Sequence, residues 1–262
     1  MRINLRLCYK LFLIILLFIN GLIITAVIFP MVNIVSTPAT AKIRRDTLKT
    51  LWLGWFSAII KLHITKHGEI SKPGTLLVSN HISWLDILVI GQYLPAYFVA
   101  KNDISSWPVI GYLARQGGTI FIRRGDKQHI RATTEKMIWL LKQNCNIIAF
   151  PEGTTTQGTG VLNFHSSLFQ PALLTKSVVQ PIALKYQGAA KKQAPFIGDD
   201  GFIPHLIKIL ALEKVEVQLS FLPVIHSIGK SRNEISVETR DMIERSLFEE
   251  LPTKNSLQHC VN

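Results

Sequence analysis

The sequence predicts an α/β domain with a mixed, largely parallel sheet flanked by helices, preceded by an N-terminal membrane-anchoring two-helix segment. Three observations carry this expectation. After residue 63, short apolar runs alternate with helical stretches, the pattern of strands joined by crossover helices. Polar, glycine-containing segments follow three of those runs, at 79–86, 123–126 and 151–160, and ligands of open α/β sheets bind at the carboxyl ends of strands. Residues 11–30, LFLIILLFINGLIITAVIFP, contain no charge.

The anchor comes first in the chain. Twenty helical residues rise about 30 Å, the thickness of a bilayer's hydrocarbon core. Arg2, Arg6 and Lys10 precede the run, and Lys42, Arg44, Arg45 and Lys49 follow it. Both flanks are basic, so the charge rule does not settle topology. The run exceeds the roughly 7–15 apolar residues of a signal peptide. Residues 48–62, LKTLWLGWFSAIIKL, are shorter than a span and rich in aromatics, as an interfacial helix is. Two arrangements are open: a plain span, or a helix that dips in and a second that returns along the surface. The second is preferred, because it keeps both basic flanks on one side. The expected division is an anchor over 1–62 and a catalytic domain over 63–262.

Within that domain, strands are expected at 75–79, 96–100, 118–122, 146–150, 178–186 and 214–224, where apolar or alternating residues recur. Helices are expected at 84–94, 127–143, 165–176 and 235–251, with short helix and loop at 104–116, broken by Pro108. Residues 187–204 are expected to form a long loop. Pro181, inside the apolar run VVQPIAL, would by itself mark an edge strand or a bulge.

Composition narrows the partners. Lys and Arg total 29 against 17 acidic residues, a net charge of +12. Charged residues make up 18% of the chain, below the about 25% usual for soluble domains. No zinc-finger, RNA-recognition or basic-zipper pattern occurs, and the basic residues are scattered. An anionic membrane surface is therefore the expected partner, and nucleic acid is not. Cys8, Cys145 and Cys260 are far apart, lack metal-ligand spacing, and are expected to be unpaired thiols.

The chemistry-bearing segments follow the strands. In SNHISWLDI (79–87), His81 and Asp86 lie five positions apart. A loop folded back onto a helix start would let the carboxylate hold one imidazole nitrogen and leave the other as a base. The bland reading, equally open on these residues alone, is a helix capped by Ser83 with Asp86 in its first turn. GTIFIRR (118–124) ends a strand in Arg123 and Arg124, whose guanidinium groups suit bidentate phosphate binding. FPEGTTTQG (150–158) is a tight turn whose backbone N–H groups could hold an anion or oxyanion. No GxSxG or SxxK nucleophile motif is present, so the attacking hydroxyl would belong to the substrate. A metal-dependent hydrolase with His165 as a further ligand and a non-catalytic lipid-binding protein are the competing classes.

These four blocks, NHISWLD, GTIFIRR, FPEGTTTQG and VVQPIAL, resemble in order and spacing the glycerolipid acyltransferase family, which includes the bacterial 1-acylglycerol-3-phosphate acyltransferases. The resemblance covers about residues 50–250. It implies a glycerol-phosphate acyltransferase-like fold. It also implies an O-acyltransferase bound to the bacterial inner membrane, with its catalytic domain facing the cytoplasm. His81 would deprotonate the acceptor hydroxyl of a lysophospholipid, and Asp86 would orient it. The hydroxyl would attack the thioester of acyl-CoA or acyl-carrier protein, with no cofactor or metal. Arg123 and Arg124 would bind the acceptor phosphate, Glu152, Gly153 and Thr154 would shape the acceptor site, and Pro181 would help form the acyl-donor side. The implied product is phosphatidate. Many phosphatidate-forming members carry an arginine and a serine after FPEGT, where this chain has Thr155 and Thr156, and a lysine where it has His165. The alternative acceptor is a lyso-ornithine lipid, which has no phosphate.

Overall fold

The structure is a computed structural model, and it describes residues 5–123 and 125–248. A helical rod opens the chain: α1 (Leu5–Ile23), a π-helical segment (Ile24–Ile28) and α2 (Phe29–Val35). It runs without a break over 31 residues and is long and apolar enough to cross a membrane. The return helix α3 (Pro38–Ile60) starts ten residues before the expected position. Its first turns, PATAKIRRD, are polar, so an apolar pattern misses them. The start is set by the chain chemistry instead: Thr37 accepts from the Thr40 N–H at 3.3 Å, and Pro38 stands where a missing N–H costs nothing. Lys61, at φ 56°, ends the helix in the left-handed region.

Seven strands follow, β1 (Leu62–His67), β2 (Leu76–Ser79), β3 (Ala96–Lys101), β4 (Ile120–Ile122), β5 (Asn146–Ala149), β6 (Val179–Gln187) and β7 (Val215–Phe221). Their order is β1-β7-β6-β2-β5-β3-β4. All pairs are parallel except β6 with β7. The mixed, largely parallel sheet is therefore as expected. β1 is an addition: its mostly exposed residues, LHITKH, carry too few apolar positions to announce a strand.

Helices cover both faces. One face holds α1, α3, α4 (Leu85–Gly91), α8 (Ala190–Gln193) and α9 (Phe202–Ala211) over Leu77, Ile148, Ile182 and Leu184. The other holds α6 (Lys127–Lys142), α7 (Gln170–Thr175) and α10 (Arg232–Phe248), mainly over Leu76, Val78, Ile147 and Val179. Successive strand residues alternate between these cores, as the pleat requires. A short α5 (Ile110–Gln116) lies between β3 and β4. The expected long loop at 187–204 contains α8 and the start of α9. The expected end of the last helix at 251 lies outside the described residues. Cys8 is exposed and Cys145 buried, both free thiols, and Cys260 is likewise outside the described residues.

Pro181 does not mark an edge, but a bulge lies beside it: Ile182 pairs with Phe221 while Val179 pairs with Ile225, one residue out of step. Pro181 sits in β6 between β2 and β7, paired with Val78. Its carbonyl accepts from Leu222 N–H at 3.0 Å, but it has no N–H to return to the Leu222 carbonyl. The neighbouring Gln180 supplies the missing donor: its Nε2 reaches Leu222 O at 3.1 Å and Glu69 O at 2.8 Å, while Oε1 accepts from Ser71 N–H at 2.9 Å. Gln180 is buried, so Gln180→Met should leave three backbone groups unmatched and cost roughly 2 kcal/mol or more. The check is the thermal or urea midpoint of the detergent-solubilised chain; an unchanged midpoint would remove this role.

Candidate active site

The site forms where β2 ends beside β5 and β6. Asn80 makes the exit. Its side chain donates from Nδ2 to Leu184 O at 3.0 Å and accepts from Leu184 N–H at 2.9 Å. The amide thus replaces the next rung of the β2–β6 ladder, and the backbone is free to turn away. His81 then meets the turn after β5. Its N–H donates to Glu152 Oε1 at 2.7 Å, and its carbonyl accepts from Thr156 N–H at 2.9 Å and Thr156 Oγ1 at 3.2 Å. Glu152 Oε2 accepts from Leu162 N–H at 3.0 Å. Glu152 is a buried bracket between two loops rather than part of the cavity wall. Burial raises its carboxyl above the usual range, against the lowering effect of the two backbone donors.

The His81 ring lies on Phe150, with centroids 4.0 Å apart and planes at 16°. Its Nδ1 is 2.8 Å from Asp86 Oδ2. Asp86 is fully buried. The same Oδ2 accepts from Ile82 N–H at 2.8 Å and Ser83 N–H at 3.0 Å, and Oδ1 accepts from Tyr186 Oη–H at 2.8 Å. A carboxylate held this way accepts a hydrogen bond from Nδ1–H and so fixes the tautomer. Nε2 is left with a free lone pair, on a ring that borders the cavity. Such a nitrogen can remove a proton from a hydroxyl. Both carboxylate oxygens of Asp86 are engaged by N–H or O–H donors, three on Oδ2 and Tyr186 on Oδ1. Among the described residues, no group of three or more His, Cys, Asp or Glu is arranged to hold a metal ion.

The helix-cap reading of this loop needs correction. Ser83 Oγ is buried and makes no hydrogen bond, and Trp84 occupies the cap position of α4. Asp86 itself does the capping, by reaching back to two preceding N–H groups. Trp84 instead donates from Nε1 to His205 Nδ1 on α9 at 3.0 Å, and His205 Nε2 donates to Pro195 O at 3.1 Å. Burial lowers the His205 pKa, consistent with this neutral form.

Tyr186 was invisible to sequence reasoning. It stands 100 residues from Asp86 in the chain, and nothing local ties the two. Burial first, and the Asp86 charge second, push its phenol well above its ordinary value, so it stays a donor.

A cavity of about 760 Å³ opens beside His81. Gly153, Thr154 and Thr155 border it together with His81. Gly153 adopts φ +69°, which favours glycine, and its N–H is used within the turn by Phe150 O at 3.0 Å. Thr155 Oγ1 is also used, donating to Phe196 O. The rest of the wall is mainly apolar and comes in part from the N-terminal segment: Phe18, Ile24 and Phe29 from the rod, Trp52 and Leu53 from α3. Reading 1–62 as an anchor did not reveal that it also forms this wall. Arg123 is exposed and outside the wall, although Ile122 and Gly125 on either side border it. Arg124 lies outside the described residues. Pro181 is in the sheet, away from the cavity.

Residues 61–185 match the family model described as Acyltransferase. The chain is 36% identical over 206 residues to the lyso-ornithine lipid O-acyltransferase of Pseudomonas aeruginosa, covering 78% of this chain and 80% of that one. It is 31% identical over 209 residues to the 1-acyl-sn-glycerol-3-phosphate acyltransferase of Neisseria gonorrhoeae, covering 79% and 81%. The crystal structure of the 1-acyl-sn-glycerophosphate (LPA) acyltransferase, PlsC, from Thermotoga maritima superposes with a TM-score of 0.65 at 16% identity, over 97% of this chain and 98% of that one. The chain belongs to the glycerolipid acyltransferase family.

Tyr186→Phe removes one donor from the buried carboxylate. A hydrogen bond to a charged group contributes about 1.5–3 kcal/mol, so kcat should fall about tenfold with KM little changed. A loss of stability with kcat unchanged would reduce Tyr186 to a packing residue.

Proposed function

We propose that this member of the glycerolipid acyltransferase family moves a fatty acyl group from acyl-CoA or acyl-carrier protein to the free hydroxyl of a lyso-ornithine lipid at a membrane surface. The observation that carries the reading is the 2.8 Å contact of His81 Nδ1 with buried Asp86, on a ring facing an apolar cavity. Nε2 takes the acceptor's hydroxyl proton as that oxygen attacks the thioester carbonyl. The new C–O bond forms, the C–S bond breaks, and the departing thiolate recovers the proton from His81. The apolar wall offers room for an acyl chain.

Two points support an acceptor without a phosphate. The relative at 36% identity acts on lyso-ornithine lipid, and the one at 31% acts on 1-acylglycerol-3-phosphate. Thr155, where many phosphatidate-forming members carry arginine, has its hydroxyl on Phe196 O, so this part of the wall is neutral. Lysophosphatidate is the second reading, favoured by Arg123 and Arg124. In either case these two arginines would meet the acceptor's anionic group. Gly153 and Thr154 would border it, Glu152 would hold the His81 loop, and Pro181 would act from within the sheet, through β2.

The N-terminal segment 1–62 is proposed as an in-plane anchor in the cytoplasmic leaflet of a bacterial inner membrane. Ile14, Leu17, Gly21 and Ile24 are buried in a stripe toward the domain, while Phe12, Ile15, Ile19, Ile23 and Val27 are exposed on the outer side. A rod whose middle walls the cavity lies along the domain rather than leaving it, and its outer apolar stripe suits lipid.

His81→Ala should lower turnover by about 10²–10⁴-fold; near-normal turnover would sink the mechanism. An acceptor panel in purified membranes, lyso-ornithine lipid against lysophosphatidate with each donor, tests the substrate. Preference for lysophosphatidate would select the second reading.

A further inference from the structure

We infer that α9 is a second membrane contact, lying on the interface of the same leaflet that holds the N-terminal hairpin. The inference rests on the membrane reading above and adds a surface to it. α9 reads FIPHLIKILA. His205, Leu206, Ile209 and Leu210 face inward and are buried. The outward side presents Ile203, Pro204, Ile207, Lys208 and Ala211, with Ile203 60% and Ile207 40% exposed. No acidic residue occurs in the helix. Its one formal charge, Lys208, can lay its methylenes along apolar surface and set its ammonium among lipid phosphates. Asp199 and Asp200 precede the helix, and Asp200 Oδ2 closes the turn by accepting from Ile197 N–H at 3.1 Å.

What covers this face is indicated by what α9 is tied to. Arg6 Nη2 donates to Ala211 O at 3.0 Å, and Lys10 Nζ to Leu210 O at 3.1 Å and Leu212 O at 2.8 Å. These cations satisfy orphan carbonyls at the negative end of the α9 dipole. They lock the last turn of α9 to the first turns of α1, where the outer stripe begins with exposed Tyr9 and Phe12. The two helices that carry these apolar faces are therefore joined at the basic end of the hairpin. At its other end, Phe202 borders the cavity, and Trp84 bonds His205 beside the catalytic loop. Contact of α9 with the bilayer would fix the domain's tilt and bring the acceptor entrance to the level of lipid headgroups.

The test uses the full chain with Cys8 and Cys260 changed to Ser, and one environment-sensitive label on Ile203→Cys. Ile19→Cys on the outer side of α1 reports the hairpin. Val237→Cys, exposed on α10 across the sheet, is the aqueous reference. Each is reconstituted into phosphatidylethanolamine–phosphatidylglycerol vesicles with or without lipids bearing a nitroxide near the headgroup. The inference expects emission at 203 and 19 to fall about twofold or more, with 237 unchanged. Quenching at 19 alone would overturn it while leaving the membrane reading intact. A site at 203 shielded from aqueous quencher but not reached by lipid nitroxide would assign the face to a protein, such as a second copy, and also overturn it. Quenching at neither 19 nor 203 would remove the membrane reading and this inference together. As a functional companion, Ile203→Glu with Ile207→Glu should cut turnover of vesicle-embedded acceptor about tenfold and leave that of detergent-dispersed acceptor within about twofold. Equal loss in both would count against a bilayer contact.

Discussion

The site is organised around one buried carboxylate. Asp86 is fully enclosed, and among the described residues it forms no ion pair with a lysine or arginine. Burying such a charge is tolerated only when hydrogen bonds replace its water. Two chain segments supply them: residues 81–83, through the His81 ring and the Ile82 and Ser83 N–H groups, and Tyr186 at the end of β6. Each donor then has its own requirement. The loop must leave β2 one residue after Ser79, and Asn80 arranges that by bonding Leu184 in place of backbone. Tyr186 must point to the same sheet face as Leu184 and Ile182, as alternation along β6 dictates.

The turn after β5 works as a clamp on the same loop. Glu152 and Thr156 hold the His81 N–H and carbonyl, so the backbone of His81 is fixed from both sides. Phe150 then limits the ring to one plane. The threonines at 155 and 156 are committed to Phe196 and His81. Residues that look free to meet a ligand when read in sequence are largely occupied in building the site. The Gln180–Pro181 pair makes the same point inside the sheet, where a side-chain amide stands in for an N–H that proline lacks.

The N-terminal segment joins two tasks that are usually separate. Its inward stripe completes the wall of the cavity, and its outward stripe presents apolar surface. Trp52, Phe18, Phe56 and Trp84 form a chain of ring contacts from α1 through α3 to the loop that carries His81. Position of the hairpin and shape of the site are thereby linked. Under the proposed in-plane anchoring, a lipid acceptor and an acyl chain would meet beside His81 without crossing water, which is costly for long apolar chains.

By itself the sequence determined the strand–helix alternation after residue 75 and the long apolar first helix, and it offered a contact of His81 with Asp86, which the structure makes at 2.8 Å, beside an equally open helix-cap reading. These are local properties, set by side-chain period and by residues within a turn or two of one another. β1 and α9 escaped it. β1 is a mostly exposed edge strand with polar residues, and α9 emerges from a segment of loop composition. Tertiary structure alone decided that Tyr186 completes the carboxylate's shell, that Glu152 braces rather than lines the cavity, that Gln180 substitutes for Pro181, and that residues 18–53 wall the site. All four depend on contacts across 35 or more residues, or on which face of an element meets its neighbour. Periodicity records that an element has two faces, but only packing decides what each face touches.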